Sequence, residues 1–199
     1  MTNKDKRSLI IVVSAPSGSG KTTLVEQVIK EMPEMRFSIS CTTRRPRQGE
    51  EEKKEYYFIS EENFKKKIQN KEFLEWEEKF GNYYGTPLSV FQNALDNGED
   101  IILSIDVKGA AAIKAKFPES ISVFIMPPST KELENRLRGR NTDVEEEVEM
   151  RIGESKEEMK KAGQYDYLII NEDLSKAAKE LISVIKSEKN RETTKKGRE

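Results

Sequence analysis

Five short apolar runs along the chain alternate with longer segments in which apolar residues recur every three or four positions. The runs predict strands at residues 9–13, 37–40, 101–105, 121–126 and 167–170. The spaced segments predict helices at residues 20–32, 61–70, 87–97, 108–116, 129–139, 144–162 and 174–188. Short β-branched runs are typical of buried strands, and the wider spacing is typical of amphipathic helices. Strands that alternate with helices indicate an α/β fold with a central parallel sheet.

Two segments interrupt this alternation, which predicts one domain with an insert and a lid. The core of that domain covers residues 7–39, 87–126 and 156–188. Residues 40–86 are polar, aromatic and rich in turn formers, as an inserted substrate-binding subdomain would be. Residues 127–155 open with two prolines and carry dense charge, as a mobile lid would. The charged tail at residues 189–199 predicts disorder, with a basic nucleic-acid-binding arm as the alternative.

The first apolar run leads into a loop of small residues that ends in Gly-Lys-Thr. Residues 15–22 read APSGSGKT, which differs from the P-loop consensus only at the first position. Gly18 and Gly20 permit positive φ, so backbone N–H groups can turn towards an anion, and the next helix directs its positive end there. The loop therefore predicts a polyphosphate site in which Lys21 contacts the β- and γ-phosphates and Thr22 contacts magnesium. A Ser/Gly turn that only caps a helix is the alternative.

The composition restricts the chemistry that the chain can perform. It has no histidine, which excludes an imidazole base, a Ser-His-Asp triad and histidine-ligated metals. Its single cysteine, Cys41, excludes an intramolecular disulfide and suits a reducing compartment. Carboxylates, hydroxyls, lysines and arginines remain. These groups suit phosphoryl transfer, because that reaction depends on positioning and charge stabilisation more than on a strong base.

The charge balance and the length of the apolar runs indicate which partners to expect. The 35 basic and 36 acidic residues nearly cancel, whereas a general nucleic-acid binder is more often basic, so we expect no nucleic-acid partner. The apolar runs are too short to span a bilayer, and the N-terminal residues MTNKDKRS lack the apolar region of a signal peptide. We therefore expect a cytoplasmic protein with no membrane partner. The sequence does not decide between a monomer and a homo-oligomer.

Two further segments carry candidates for a second substrate. Residues 41–47 read CTTRRPR, and their guanidinium groups could bind phosphate in a bidentate manner, with a solvated basic loop as the alternative. Residues 73–87 read FLEWEEKFGNYYGTP and place Glu75 ahead of a Gly-Asn-Tyr-Tyr turn. Taken alone, Glu75 would be a surface carboxylate.

In their order after the P-loop, several strings in the chain resemble those of guanylate kinases. They are TTRxPRxGE, YxF, EFLEW, GNYYGT and IDxxGA. The resemblance extends from about residue 9 to residue 185. It implies a P-loop three-layer α/β fold with a GMP-binding insert and a lid, and transfer of the γ-phosphate of ATP to GMP with Mg²⁺ as cofactor. The alternatives are a P-loop kinase with another phosphorylated acceptor and a non-enzymatic guanylate-kinase-like interaction module.

The same resemblance implies which residues form each site. The ATP-binding positions are Ala15, Pro16, Ser17, Gly18, Ser19, Gly20, Lys21, Thr22, Thr23, Arg136 and Asn171. The GMP-binding positions are Ser40, Arg44, Arg47, Tyr56, Glu75, Tyr84, Thr86 and Asp106. The catalytic positions are Lys21, Arg44, Arg140 and Arg151. The magnesium positions are Thr22 and Asp106, the latter through a water molecule.

The chemistry of these side chains supports the implied roles. Glu75, assisted by Asp106, could accept hydrogen bonds from the N1–H and N2–H₂ groups of guanine, whereas adenine presents an acceptor at N1. Ser40 and Thr86 could donate to O6. The GMP phosphate would be held by Arg44, Arg47, Tyr56 and Tyr84. Asp106 could instead cap the helix that follows it, and Asn171 could either lie near the adenine or cap a helix.

Overall fold

The computed structural model describes residues 8–47, 49–139 and 145–196, with side chains described to residue 191. The strands in these ranges are β1 (Ile10–Ser14), β2 (Arg36–Ser38), β3 (Ser40–Thr42), β4 (Tyr56–Phe58), β5 (Phe73–Lys79), β6 (Asn82–Pro87), β7 (Ile101–Ser104), β8 (Ile121–Met126) and β9 (Tyr167–Ile170). The α-helices are α1 (Lys21–Glu31), α2 (Glu61–Gln69), α3 (Leu88–Asp96), α4 (Val107–Lys116), α5 (Thr130–Arg138), α6 (Glu145–Met159) and α7 (Leu174–Lys196). A short 3-10 turn, Ala162–Gln164, separates α6 from β9.

The central sheet that the apolar runs predict is confirmed. Five strands form it in the order β2-β7-β1-β8-β9. Strand β2 pairs in parallel with β7, and β8 pairs in parallel with β9. All five residues of β1 are buried, and they are mostly β-branched, as is typical of a parallel strand covered on both faces.

A second sheet, which the sequence does not predict, lies within residues 40–87. Four strands form it in the order β4-β3-β6-β5. Strand β3 pairs in parallel with β4 and antiparallel with β6, and β6 also pairs antiparallel with β5. These strands are short and carry many polar residues, and their pairing joins positions that are distant in sequence. Local apolar spacing therefore does not reveal them.

The chain divides into two compact units. Unit 1 comprises Met1–Val12 and Met35–Ser120, and unit 2 comprises Val13–Glu34 and Ile121–Glu199. Unit 1 contains the residues of the predicted insert, and unit 2 contains those of the predicted lid. The finer division into core, insert and lid stays a prediction. None of the described helices combines the length and the apolar composition that a bilayer crossing needs.

In unit 1, one face of the four-stranded sheet packs against α2. The ring of Phe64 on α2 stacks on Phe73 and Tyr83, with centroid distances of 4.4 and 5.4 Å. Gly85 is part of this contact, because a Cβ there would lie 2.9 Å from Phe73 and 3.0 Å from Phe64. Phe64, Phe73 and Tyr83 thus pack together between the sheet and α2, and the opposite face points away from that helix.

In unit 2, helices α5 and α6 share a small apolar core. Its members are Leu133, Leu137, Val148 and Ile152. They recur four residues apart on each helix, which places them along one helical face. An ion pair between Lys156 and Glu134, 2.9 Å long, also joins the two helices. The segment that the sequence predicts as a lid therefore has apolar contacts of its own.

Helix α7 continues to Lys196, whereas the sequence predicts disorder from residue 189. The tail is rich in lysine, glutamate and arginine, which are strong helix formers. Arg191 pairs with Glu188 at 2.8 Å, and Glu188 also accepts a hydrogen bond from the Tyr167 hydroxyl. The prediction of disorder is wrong as far as residue 196, because high charge alone does not distinguish a disordered tail from a solvated helix.

Candidate functional site

The small-residue loop of unit 2 ends where α1 begins. Within it, the Ser19 N–H group donates to Pro16 O over 3.2 Å. Gly18 and Gly20 have φ angles of 88° and 83°. Gly20 caps α1 in the left-handed conformation, without a side-chain hydrogen bond to the helix. The first N–H groups of α1 therefore lie beside the loop, and no side chain caps the helix there. An uncapped helix N-terminus of this kind can bind phosphate through these N–H groups.

Two side chains of unit 2 hold carbonyl groups of this loop. Asn171 donates from Nδ2 to Ser19 O over 2.7 Å, and Ser155 donates from Oγ to Ser17 O over 3.3 Å. Asn171 follows β9 and Ser155 lies on α6, and both are buried. Sequence reasoning does not identify Ser155, because it lies 138 residues from its partner and belongs to no recognised motif.

The residues after the loop begin α1 and include the predicted phosphate and metal ligands. Lys21 is half-buried at the first position of the helix, and Thr22 and Thr23 are exposed beside it. Within the loop, Ser19 is buried, and its hydroxyl has no hydrogen-bond partner among the described residues. The predicted ATP-binding positions 15–23 are therefore contiguous at the start of one helix.

The structure describes two of the three predicted lid arginines. Arg136 on α5 is half-buried, donating from Nε to Glu132 over 2.9 Å and from Nη2 to the backbone oxygen of Asn171 over 3.4 Å. Arg151 is half-buried on α6. Arg140 lies outside the described residues. Arg136 thus contacts Asn171, the residue whose side chain holds the phosphate loop.

In unit 1, most of the predicted GMP-binding residues share one face of the four-stranded sheet. Residues that pair directly across strands point to the same face, and so does every second residue along a strand. The register pairs Ser40 with Tyr56, Thr42 with Tyr84, and Thr86 with Glu75. This face therefore contains the predicted Ser40, Tyr56, Tyr84, Thr86 and Glu75, and it is opposite to the face that contacts α2.

Arg44 lies over the same face. Its Cζ is 5.5 Å from the ring centroid of Tyr56 and 5.8 Å from that of Phe58. Nη1 and Nη2 each donate to one oxygen of Glu50 at 2.9 Å, and the backbone N–H of Arg47 donates to Glu50 at 2.7 Å. Burial alone would raise the pKa of Glu50, but these hydrogen bonds outweigh burial and hold the pKa below its ordinary value. Glu50 therefore stays ionised and orients Arg44, a role that the sequence motif does not reveal.

Tyr56 and Tyr84 meet edge to face, with ring centroids 6.1 Å apart. Burial raises the pKa of Tyr56, and the neighbouring Tyr84 acts in the same direction. The Tyr56 hydroxyl therefore stays protonated at neutral pH and can donate a hydrogen bond to an anion.

The carboxylate of Glu75 is held by Thr86 and lies close to the backbone of α4. Thr86 donates from Oγ1 to Oε1 of Glu75 over 2.5 Å. A hydroxyl has one hydrogen, so while this bond is made Thr86 orients Glu75 and cannot also donate to guanine O6; that role of Thr86 stays a prediction. Oε2 of Glu75 lies 2.8 Å from where a Cβ would stand at Gly109, in the first turn of α4. Asp106 caps α4 by accepting the Gly109 N–H at 2.7 Å, so the capping alternative is observed, and it brings Asp106 beside Glu75.

Besides Glu75, the face of the sheet opposite α2 carries a second carboxyl group, that of Glu77, which the sequence does not single out. Glu77 lies two residues after Glu75 on β5 and so points to the same face. Burial, a hydrogen bond with Asp106 and the charge of Asp106 raise the pKa of Glu77 to about 8, while Lys108 acts in the opposite direction. The Glu77–Asp106 pair therefore shares a proton at neutral pH. The signal that could have found Glu77 is the two-residue alternation of a strand.

Comparison with known proteins shows the family of this chain. A family model described as guanylate kinase matches residues 6–188. The guanylate kinase of Clostridioides difficile is 44% identical over 186 residues, which cover 94% of this chain and 91% of the relative, and that of Carboxydothermus hydrogenoformans is 47% identical over 183 residues, which cover 92% and 90%. The crystal structure of guanylate kinase from Anaplasma phagocytophilum matches with a TM-score of 0.77 at 32% identity, covering 92% of this chain and 87% of that chain. This chain belongs to the guanylate kinase family.

Proposed function

We propose that this protein transfers the γ-phosphate of ATP to GMP and releases ADP and GDP. Its membership of the guanylate kinase family supports this activity. The structural observation that carries the proposal is the sheet face of unit 1, where the candidates for base recognition and for phosphate binding converge. A fixed carboxylate suits a purine base, and an oriented arginine beside tyrosines suits a phosphate.

ATP would bind through its phosphates to the loop that precedes α1. The N–H groups at the helix start and the positive end of the helix dipole favour a polyanion there. Lys21 would contact the β- and γ-phosphates. The arginines Arg136, Arg140 and Arg151 would neutralise the charge that builds up while the phosphoryl group moves. These residues supply positioning and charge, which are the main requirements of phosphoryl transfer.

Guanine would be recognised by Glu75. The hydrogen bond from Thr86 orients the carboxylate, which can then accept from N1–H and N2–H₂ of guanine. Adenine would turn an unprotonated N1 towards the same oxygens and leave them without a donor. Sites that bind a base through buried hydrogen bonds can reject an analogue by as much as about 10⁴-fold. Asp106 would assist Glu75, and Ser40 would donate to O6.

The phosphate of GMP would bind to Arg44, Arg47, Tyr56 and Tyr84. The guanidinium of Arg44 has five N–H donors, and within the described residues three of them are used by Glu50 and by the backbone oxygen of Arg45. The N–H of Nε and one N–H of Nη2 remain, and they form a second planar fork that matches two phosphate oxygens. Glu50 and a phosphate can therefore bind Arg44 together.

Transfer would proceed directly between the two nucleotides. An oxygen of the GMP phosphate attacks the γ-phosphorus, a new P–O bond forms, and the bond from that phosphorus to the β,γ-bridging oxygen breaks to leave ADP. No side chain needs to act as a covalent nucleophile. The chain's own contribution is to align the two phosphates and to stabilise their charge.

Thr22 would hold the magnesium ion that accompanies ATP. Its hydroxyl is exposed at the start of α1, and hydroxyl oxygens suit this ion. Among the described residues no group of three or more His, Cys, Asp or Glu side chains could form a complete metal site. Phosphate and water oxygens would therefore supply most of the ligands, with Asp106 acting through water. When bound, the ion would supply positive charge beside the phosphates of ATP.

The cytoplasm is the setting that we propose for this activity. Cys41 is the single cysteine of the chain, so no intramolecular disulfide is possible, which suits a reducing compartment. It is buried, and burial raises its pKa to about 11, so the thiol is unreactive. The proposed partners are the two nucleotides, with neither a nucleic acid nor a membrane among them.

A coupled assay of ADP formation tests the proposed reaction. The protein would be given ATP and magnesium with GMP, AMP, CMP or UMP as acceptor. We expect efficient turnover with GMP and a kcat/KM at least about 10²-fold lower with the others. A marked preference for another acceptor would show a different kinase, and a protein without turnover would be a binding module. Either result would contradict the proposal.

A further inference from the structure

Asn171 is a buried residue that links three parts of unit 2. Only 4% of it is exposed, directly after β9. Its backbone N–H donates to Met126 O at the end of β8 over 2.8 Å, and its backbone oxygen accepts from Arg136 on α5. Its side chain reaches the phosphate loop, where Nδ2 donates to Ser19 O over 2.7 Å. The backbone of Asn171 is therefore fixed, and its amide holds the loop.

The partner atom determines how the amide of Asn171 is oriented. Ser19 O can only accept a hydrogen bond, so the nitrogen of the amide must face it. The bond is buried, and its loss would leave a buried carbonyl without a donor, which is costly. At least one N–H of this amide is thus used by the loop.

The loop approaches Asn171 closely at its last residue. A Cβ at Gly20 would lie 2.6 Å from Nδ2 of Asn171 and 4.0 Å from Nη1 of Arg136. The same residue has a φ of +83° and forms the cap of α1. Asn171 therefore contacts the point at which the loop turns into the helix whose N–H groups face the phosphates.

We propose that Asn171 is a positioning residue for the phosphate-binding loop. By holding Ser19 O, it keeps the neighbouring N–H groups of the loop directed at the phosphates. Because it acts through the loop, Asn171 should affect the binding of any ligand with a chain of phosphates. The adenine contact that the family resemblance implies would instead affect only a nucleotide with that base. This inference rests on the proposed function only in taking ATP as the ligand of the loop.

Binding of inorganic tripolyphosphate separates these two roles, because it has three phosphates and no base. Calorimetry would measure ATP and tripolyphosphate, each with magnesium, on the wild type and on two variants. Asn171→Ala removes the amide, and Asn171→Leu keeps a similar shape, stays uncharged and has no N–H to donate. We expect the affinities for ATP and for tripolyphosphate to fall by the same factor, roughly tenfold, in both variants. GMP affinity should be unchanged, because its site is built from unit 1.

Asn93→Ala is the matched control, since Asn93 is an exposed asparagine on α3. It should bind ATP and tripolyphosphate as the wild type does. A loss for ATP alone would identify an adenine contact and overturn the inference. Unchanged binding of both ligands, or an equal loss for GMP, would overturn it too. The Leu variant, which is close to asparagine in shape, provides the test if the Ala variant does not fold.

The inference and the proposed function can fail separately. A wild-type protein that binds ATP and tripolyphosphate but does not phosphorylate GMP would contradict the proposed function and leave the role of Asn171 intact. If the wild type phosphorylates GMP and the Asn171 variants lose affinity for ATP but not for tripolyphosphate, the role of Asn171 is contradicted and the proposed function stands.

Discussion

The guanidinium of Arg44 and the carboxylate of Glu50 form a two-point ion pair in which both N···O distances are 2.9 Å. The side chains are 11% and 17% exposed, so little water competes for these bonds. A third bond reaches Glu50 from the backbone N–H of Arg47. Glu50 thus fixes the direction of the second donor fork of Arg44, which we assign to the phosphate of GMP.

Substitution of Glu50 by glutamine should weaken GMP binding. The amide can no longer accept two charge-assisted bonds, so Arg44 loses its fixed orientation. We expect the KM for GMP to rise roughly tenfold and the KM for ATP to stay constant, measured by steady-state kinetics. Glu51→Gln is the control, because the Glu51 side chain is 71% exposed and should not affect either constant. An unchanged or lower KM for GMP in Glu50→Gln would show that Glu50 does not orient Arg44.

Substitution of Glu75 by glutamine should reduce the use of GMP selectively. The amide offers one acceptor where the carboxylate offers two, and Thr86 already occupies one side. We expect kcat/KM for GMP to fall roughly 100-fold, with the KM for ATP unchanged. Glu78→Gln is the matched control, because Glu78 lies on β5 and points to the opposite face. Normal GMP kinetics in Glu75→Gln would exclude Glu75 as the group that recognises guanine.

Gly109→Ala should impair GMP binding more than it destabilises α4. A Cβ at this position would lie 2.8 Å from Oε2 of Glu75 and 3.1 Å from Oδ1 of Asp106, so both carboxyl groups would have to move. Alanine is the stronger helix former, which offsets part of the cost of displacing the Asp106 cap, so the fold itself should tolerate the change. We expect the KM for GMP to rise roughly tenfold, measured together with the melting temperature.

Gly153→Ala is the control for this prediction. Gly153 lies on α6, and among the described residues a Cβ there would meet open space outside its own helix. This variant should keep normal kinetics and gain about 0.5–1 kcal/mol of stability from helix propensity. If Gly109→Ala bound GMP like the wild type, the close approach of Glu75 to α4 would have no bearing on guanine recognition.

Glu77 should make the stability of the protein depend on pH. Its pKa of about 8 in the folded state exceeds its ordinary value of 4.5, because burial and Asp106 outweigh Lys79 and Lys108. The stabilisation from the bound proton is complete below pH 4.5 and is lost as the pH rises through 8. Glu77→Gln cannot ionise and retains a donor for Asp106.

The melting temperature of Glu77→Gln, measured without nucleotide or magnesium, should therefore exceed that of the wild type by a few degrees at pH 9. The advantage should shrink below pH 7. The control is Glu78→Gln, whose side chain is exposed. Parallel curves for the wild type and Glu77→Gln from pH 5 to pH 9 would disprove the raised pKa.

The sequence predicts those parts of the fold that depend on local spacing. The strands of the central sheet and the seven helices follow from apolar periodicity, because each element buries one stripe or run of its own residues. The four-stranded sheet does not follow, because its strands are held by pairs such as Ser40–Tyr56 and Glu75–Thr86, which cross turns of different length. The family motifs name most of its site residues, but they do not show that these residues share one face.

The residues that sequence reasoning misses act through tertiary contacts. Glu77 is visible only once β5 is known to be a strand, and Glu50 only once its bond to Arg44 is known. Ser155 holds the phosphate loop from 138 residues away. Asn171 is named by the family motifs, but its bond to the loop, across 152 residues, is not. No local pattern encodes such separations, so the structure is needed to assign these roles.

The most direct test of the central claim is the ratio of the two products that form when the protein acts on ATP, GMP and magnesium. Chromatographic separation of the nucleotides would measure ADP and GDP in the same sample. Direct phosphoryl transfer predicts equal amounts of GDP and ADP with the wild type, and neither product with Lys21→Ala. ADP that accumulates without GDP, or GDP formation that persists in Lys21→Ala, would contradict the proposed reaction.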